Sequence, residues 1–174
     1  MSDPGPRLER LDVHHVLTQF ESGQPELDSW LVRHALAAQQ MDSARTFLLV
    51  RGAHLDGYFS LTMGSVLRAD APSKLVRGLP AYAIGMVLLA RLAVDRRAQG
   101  RGLGSLLLTE ALRKAVAAGE AAAARLVVVD AIDDHAAGFY SHHGFMAIPG
   151  HPLRLYRRMT DIRASLLARA SAGA

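Results

Sequence analysis

A glycine-rich segment of the chain has the residue types needed to bind phosphate. It covers residues 99–104 (QGRGLG), where three glycines at alternate positions let a ligand approach the backbone closely. An apolar run, 86–94, precedes it, and residues 105–119 follow with the apolar spacing of an amphipathic helix. Exposed N–H groups at a helix N-terminus attract phosphate. Three arginines add positive charge here: Arg96, Arg97 and Arg101.

This segment is predicted to bind a pyrophosphate-bearing ligand, and the alternative is a glycine-rich connector without a ligand. Two common phosphate loops do not fit. The chain has no Gly-Lys-Ser/Thr tripeptide, and its glycines do not have the spacing of the dinucleotide-binding fingerprint.

The elements that must position this loop have the order of a mixed α/β fold. The spacing predicts a first strand within 7–20, a helix from residue 26, and a hairpin of strands 46–50 and 55–63. An irregular basic segment, 64–84, precedes the central strand 86–94. The helix 105–119 is followed by a strand at 125–130, a short helix at 133–140, a strand pair within 145–159 and a helical tail at 160–170.

Composition limits the class of protein. The 174 residues, half of them hydrophobic and 21% charged, predict one globular domain over 1–174. The absence of cysteine excludes thiol nucleophiles and Cys-ligated zinc, and no His-Glu-x-x-His pattern occurs, so no metal is expected. The first residues, MSDPGP, do not begin a signal peptide, and no apolar run is long enough to span a membrane. A cytoplasmic location with no membrane partner is expected.

Positive charge is concentrated in two parts of the chain. The net charge of +4 combines +6 over residues 45–101 and +4 over 135–174 with −4 over 1–44 and −2 over 102–134. Eighteen of the basic residues are arginine, which suits bidentate contacts to phosphate. A GC-rich genome would produce the same arginine bias.

Two motifs resemble those of the GNAT acetyltransferases. Residues 99–104 match the family loop Gln/Arg-x-x-Gly-x-Gly/Ala, and residues 139–145 (FYSHHGF) match Phe-Tyr-x-x-x-Gly-Phe at a similar separation. The resemblance implies a mostly antiparallel GNAT sheet flanked by helices, and acetyl-coenzyme A as co-substrate. It implies these coenzyme contacts: Leu92, Ala93, Val94, Arg97, Gln99, Gly100, Arg101, Gly102, Leu103, Gly104, Ser105 and Phe139.

Further segments resemble the GNAT-fold toxins of bacterial toxin–antitoxin pairs. Residues 20–31 (FESGQPELDSWL) match their opening Phe-x-x-Gly-x-x-x-Leu-Asp-x-Trp-Leu, and 90–95 (ARLAVD) match their central strand. The resemblance covers about residues 8–167, although 155–159 (LYRRM) lacks a proline that these toxins often have. It implies acetylation of the amino group of aminoacyl-tRNA, a block of translation and a ribbon-helix-helix antitoxin as partner. A homodimer, which would join two basic faces, is expected as well.

Tyr140 is the predicted catalytic acid. Its phenol has a reference pKa of about 10, near the value of about 8.5 for a thiol, and the family places this tyrosine near the sulfur. The alternative is a packed aromatic side chain. No general base is evident, which favours an α-amino group with a pKa of about 7.7–8.0 over a lysine with a pKa of about 10.4.

Substrate contacts are predicted at Arg91, Arg77 and Lys74. Arg91 interrupts an apolar strand and therefore needs either a substrate or a structural salt bridge. Lys74 and Arg77, with Arg68, lie in the basic segment and either hold RNA phosphates or face solvent. Trp30 is expected in the core rather than as a platform for RNA bases. Asp133 stands where many GNAT proteins have asparagine, so it is assigned no coenzyme contact.

Two other functions remain open at this point. One is a GNAT enzyme that acetylates a small amine or a protein N-terminus, which needs no basic surface beyond the coenzyme loop. The other is a binding module that senses acyl-CoA without catalysis.

Overall fold

The protein contains seven strands and six α-helices over the residues that the computed structural model describes, 4–79 and 82–174. The strands are β1 (Arg7–Arg10), β2 (Arg45–Arg51), β3 (His54–Val66), β4 (Ile84–Val94), β5 (Leu126–Asp130), β6 (Met146–Ile148) and β7 (His151–Arg158). The helices are α1 (Pro25–Arg33), α2 (Ala35–Gln40), α3 (Ser73–Val76), α4 (Leu103–Ala122), α5 (Asp134–His142) and α6 (Met159–Ala172).

The strands form one sheet in the order β1-β2-β3-β4-β5-β7-β6. Strands β4 and β5 are parallel, whereas the pairs β1/β2, β2/β3, β5/β7 and β6/β7 are antiparallel. The predicted mixed α/β class with a mostly antiparallel sheet is therefore confirmed. A helix, α4, connects the two parallel strands, as parallel pairing requires.

Residues Met1–Thr62 and Ala90–Ala111 form a first compact unit. Its core packs Leu31 of α1 and Leu48 of β2 against Tyr58 of β3, and all three are fully buried. The Tyr58 hydroxyl donates a hydrogen bond to the Leu27 carbonyl (2.7 Å), which satisfies the polar end of this buried ring.

Residues Met63–Leu89 and Leu112–Ala174 form a second unit. Its core includes Met86 of β4, Leu126 and Val128 of β5, and Tyr156 of β7. Strands β4 and β5 are buried on both faces, which explains why their sequences are almost wholly apolar. The prediction of a single domain over 1–174 stays a prediction.

Several element bounds differ from the sequence prediction. Strand β1 ends at Arg10 because Asp12 and His15 form a turn, in which the His15 N–H donates to the Asp12 carbonyl. The helix predicted from residue 26 is interrupted at His34, whose φ of −125° lies outside the helical range. Strand β3 extends to Val66, and the basic segment contains the one-turn helix α3. Pro80 and Ala81 of that segment, and Met1–Asp3 of the N-terminus, lie outside the described residues.

None of the helices in the described ranges is long and apolar enough to cross a membrane.

We expect Gly85→Ala to destabilise the protein. A Cβ at this position of β4 would lie 2.7 Å from the Ala123 carbonyl oxygen, which is a backbone atom and cannot be displaced by a side-chain rotation. The free energy of unfolding should fall by about 1–3 kcal/mol in urea denaturation. Gly138→Ala in α5 is the matched control, because its Cβ would meet no atom within 4 Å and alanine stabilises a helix by about 0.5–1 kcal/mol. Equal stability changes in both variants would contradict the close contact.

Candidate active site

A buried carboxylate, that of Asp95, holds the start of the glycine loop in place. It lies directly after β4, and only 2% of the residue is exposed. Its oxygens accept hydrogen bonds from the Glu21 amide (3.0 Å), the Arg97 amide (3.0 Å) and the Arg97 guanidinium (Nε, 2.8 Å). One side chain therefore joins the turn after β4 to a loop that precedes it by more than seventy residues.

The same two segments are linked at further points. The Arg96 amide donates to the Glu21 carbonyl (2.8 Å), and the Arg96 guanidinium pairs with the Glu21 carboxylate (3.0 Å). The Gln99 side-chain amide donates to the carbonyls of Ser22 and Val94, both at 2.9 Å. These contacts fix the backbone on the N-terminal side of Gly100.

The electrostatics of Asp95 follow from this setting. Burial acts to raise the pKa of its carboxyl, but hydrogen bonds from the Arg97 side chain and from the amides of Glu21 and Arg97 outweigh burial. The net result is a pKa below the usual value, so the group is ionised at neutral pH. The same pairing raises the pKa of Arg97.

Two glycines shape the loop between Asp95 and α4. Gly100 and Gly102 have φ values of +77° and +74°, which other residues adopt only with strain. Leu106 donates the first α4 hydrogen bond, to the Gly102 carbonyl (3.2 Å), so the amides of Leu103 and Gly104 have no acceptor within the helix. These amides lie at the positive end of a 20-residue helix and can donate hydrogen bonds to a bound anion.

The strand that leads into this loop has an unpaired edge. The paired residues of β4 and β5 run from Met86/Leu126 to Leu89/Val129, and β4 then continues to Val94. Over the part of the chain that the structure describes, no residue of β5 pairs with 90–94. The backbone groups on this side can therefore pair with an extended ligand, and residues 92–94 are those predicted to do so.

Arg91 contacts an aromatic ring rather than a carboxylate. Its guanidinium carbon lies 3.9 Å from the centre of the Trp30 ring, and Trp30 in turn stacks on Tyr58 with ring centres 6.3 Å apart. Burial lowers the pKa of Arg91, and Tyr58 partly offsets this effect. The alternative of a structural salt bridge is absent from the described residues, and Trp30 packs on the core as expected.

The other predicted contacts of the first unit use their side chains in different ways. Arg97 and Gln99 hold the loop through the hydrogen bonds described above, and the Leu103 side chain is buried. Arg101 is exposed and makes no ion pair within the described ranges. Roles of these residues, and of Ser105, as coenzyme contacts stay predictions.

Tyr140 lies in the second unit, on α5. The helix begins after Asp133, whose carboxylate accepts a hydrogen bond from the Ala136 amide (2.8 Å), so Asp133 is a capping residue. It ends before Gly144, which has a φ of +88° and packs against the Arg157 guanidinium. The ring of Tyr140 is 6% exposed, between Phe139 and Phe145, and its hydroxyl makes no hydrogen bond to any described residue. Burial raises the pKa of Tyr140 well above its usual value.

The remaining predicted residues also lie in the second unit. Phe139 is half-buried and contacts the ring of His143. Lys74, on α3, lies beside Met146, while Arg77 follows α3 and is exposed. Among the described residues, no group of three or more His, Cys, Asp or Glu side chains could hold a metal ion.

Comparison with known proteins yields consistent matches. A family model described as an acetyltransferase (GNAT) domain matches residues 65–147. A tRNA-acetylating toxin of Mycobacterium tuberculosis is 42% identical over 148 residues, which is 85% of this chain and 89% of that protein.

Two solved structures have the same fold. AtaT complexed with acetyl-methionyl-tRNAfMet has a TM-score of 0.85 at 27% identity, covering 92% of this chain and 99% of that one. A mutant AtaT toxin bound to the C-terminus of the antitoxin AtaR and acetyl-CoA has a TM-score of 0.80 at 25% identity, covering 94% and 99%.

The fold and the loop are those of an acetyltransferase. The chain belongs to the GNAT acetyltransferase family, in the group that includes the tRNA-acetylating toxin. Sequence reasoning did not find the hydrogen bond from the Glu21 amide to Asp95 or the stack of Arg91 on Trp30. The one available signal was an aspartate two residues before an arginine at the end of a buried strand, which is typical of a side-chain-capped turn.

Asp95→Asn should lower the free energy of unfolding by about 1–2 kcal/mol at pH 7, because it removes the charge that pairs with Arg97. Folding lowers the pKa of this carboxyl, so its stabilisation is present above the unfolded value of about 3.9 and is lost as the pH falls through the folded pKa. Urea denaturation from pH 7 to pH 2 should show the two proteins converging in stability below about pH 4. The exposed Asp70→Asn is the control. A constant difference down to the lowest pH would contradict this role of Asp95.

Proposed function

We propose that this protein is an acetyl-CoA-dependent N-acetyltransferase toxin that acetylates the α-amino group of aminoacyl-tRNA and so blocks translation. The observation that carries the reaction is the unpaired edge of β4 leading into an open glycine loop at the N-terminus of α4. The observation that carries the substrate is the 42% identity to a tRNA-acetylating toxin.

The first unit has hydrogen-bond donors and positive charge that match the chemical groups of acetyl-CoA. The amides of residues 100–104 and the exposed Arg101 would bind the pyrophosphate, since the helix end and the arginine are both positive. The backbone of residues 92–94 would pair with the amide groups of the pantetheine arm. Acetyl-CoA, when bound, supplies the activated acetyl group as a thioester. The pairing of Arg97 with Asp95 limits Arg97 to a supporting role.

Tyr140 is proposed to hold the proton that the departing thiolate needs. Its raised pKa keeps the phenol protonated at neutral pH, and its hydroxyl is not committed to another described residue. The packing of Phe139 and Phe145 around the ring restricts its rotation. No general base is required for an α-amino group, because roughly a fifth to a third of it is neutral at about pH 7.4.

Binding of the tRNA is proposed to use cations that no carboxylate neutralises. Arg91 meets this condition, since it rests on the face of Trp30, and Lys74 and Arg77 meet it in the second unit. Contacts of this kind bind phosphate without reading the base sequence.

The proposed partners follow from the relatives. A mutant AtaT is bound to the C-terminus of its antitoxin AtaR, and we propose an antitoxin for this chain, with a ribbon-helix-helix DNA-binding domain. A homodimer is proposed as well, because it would join two sets of basic residues. A cytoplasmic location is proposed because aminoacyl-tRNA is used there.

The substrate is tested by incubating the protein with radiolabelled acetyl-CoA and a pool of charged tRNAs. We expect the label on the α-amino group of aminoacyl-tRNA and none on deacylated tRNA. Free amino acids, polyamines and a peptide with a free N-terminus are assayed in parallel. Label on any of these, with none on aminoacyl-tRNA, would refute the proposed substrate.

Tyr140→Phe should lower kcat by about 10²–10⁴-fold with little change in KM, because the phenol acts in the transfer step rather than in binding. Steady-state kinetics on aminoacyl-tRNA provide the measurement. Tyr156→Phe is the matched control, since Tyr156 is also a buried tyrosine of the second unit (3% exposed) but belongs to its core. Similar loss of kcat in both variants would argue against Tyr140 as the acid.

A further inference from the structure

A cavity in the second unit is lined by three arginines. It has a volume of about 180 Å³. Its lining residues are Leu75, Ala124, Arg125, Leu126, Arg158, Met159, Thr160 and Arg163. The polar side chains among these residues are those of three arginines and one threonine, and the others are leucine, alanine and methionine.

The backbone explains why these arginines converge. Leu126 at the start of β5 pairs with Arg158 at the end of β7. The Met159 amide donates to the Arg125 carbonyl (2.8 Å), which brings the start of α6 beside the start of β5. Arg163 follows one turn along α6 from Met159 and therefore faces the same side of the helix.

The three guanidinium groups differ in how far they are neutralised. Arg158 is paired with Asp161 (2.9 Å). Arg163 has only a long contact to the Glu120 carboxylate (3.6 Å), and its Nε is buried without a hydrogen-bond partner in the described structure. The exposed Arg125 guanidinium makes no ion pair with any described residue. Arg125 and Arg163 can therefore still pair with an external anion, and the buried Arg163 Nε lacks a hydrogen-bond acceptor.

The start of α6 adds further donors. The helix has 14 residues, and its N-cap residue, Arg158, makes no side-chain capping hydrogen bond. The Met159 amide already has the Arg125 carbonyl as acceptor, but the next amides of the first turn have no acceptor within the helix, and Thr160 lies in the cavity lining. The carboxylate of Asp161, also in the first turn, is held by Arg158. An oxyanion would supply acceptors to the helix end, to Arg125 and to the Arg163 Nε together.

We propose that this cavity binds a phosphate group, and that the phosphate is a backbone phosphodiester of the tRNA. The volume is smaller than the roughly 300–1,000 Å³ of pockets that enclose a whole small ligand, so one group of a larger molecule fits better. Leu75 of the lining is adjacent in the chain to Lys74, which extends the cationic surface beyond the cavity. The RNA assignment rests on the proposed function, whereas a free phosphate ion would use the same donors.

The test compares wild-type protein with the double variant Arg125→Gln/Arg163→Gln in binding deacylated tRNA over a range of salt concentrations. Loss of one phosphate contact should reduce the slope of log K against log salt by about 0.7–0.9. The affinity gap between the two proteins should shrink about threefold as salt rises from about 50 to 200 mM. Arg33→Gln removes an exposed arginine in the last turn of α1, outside the cavity, and as the control it should keep the wild-type slope.

Glu120→Gln is expected to increase the affinity for tRNA, whereas the double variant decreases it. Removing the carboxylate nearest to Arg163 should raise tRNA affinity by about two- to fivefold, the range expected for releasing a surface ion pair. This variant keeps both arginines, so a folding defect in the double variant cannot imitate its effect.

Inorganic phosphate, titrated while the Thr160 amide is followed by NMR, distinguishes the two sources of the anion. Phosphate binding lost in the double variant, together with the reduced tRNA slope, supports the proposal. Phosphate binding with an unchanged tRNA slope would contradict the assignment of the anion to RNA. An equal change of slope in Arg33→Gln would show that the effect is not specific to this cavity and would contradict the proposed site. If wild-type protein bound no tRNA at all, the proposed function itself would be contradicted. If both proteins bound tRNA with the same salt dependence, only the role of this cavity would be contradicted.

Discussion

The hydrogen-bonded carboxylate of Asp95 is the contact on which the glycine loop depends. It ends the central strand, caps the turn that follows and accepts the amide of Glu21, so three backbone segments share one buried charge. A buried carboxylate is costly unless its oxygens are satisfied, and here both are. Because the turn is held on its N-terminal side, the freedom of Gly100 and Gly102 is confined to the loop itself, and the amides at the start of α4 keep their direction.

Arginines in this protein fall into two groups with different physical roles. One group forms ion pairs with carboxylates: Arg7, Arg45, Arg51, Arg96, Arg97, Arg154 and Arg158. Members of this group stabilise turns and strand ends. Arg91, stacked on Trp30, and Arg125, at the edge of the cavity, retain their charge for an external anion. The net charge of +4 therefore understates the attraction for a polyanion, because charges within ion pairs contribute little to it.

Features encoded by neighbouring residues could be predicted from the sequence. The glycine loop is a local pattern of glycines, the strands around residues 86–94 and 126–130 are apolar runs, and the helices have a period of 3.6 residues. The structure contains these elements within a few residues of the predicted bounds. Contacts between distant residues could not be predicted, because they depend on how the strands assemble. The stack of Arg91 on Trp30 joins positions 61 residues apart, and no local pattern distinguishes it from a salt bridge. The cavity likewise combines residues from four elements and from the turn after α4.

The unpaired part of β4 has a consequence for solubility. Five residues of mostly apolar strand, 90–94, present backbone donors and acceptors on one side, and such edges recruit strands from other molecules into aggregates. Arg91, a charged and partly exposed residue within this stretch, acts against that outcome, since another chain adding here would have to desolvate its guanidinium. A pantetheine arm paired along this edge would also shield it, so occupancy by coenzyme would protect the protein against self-association.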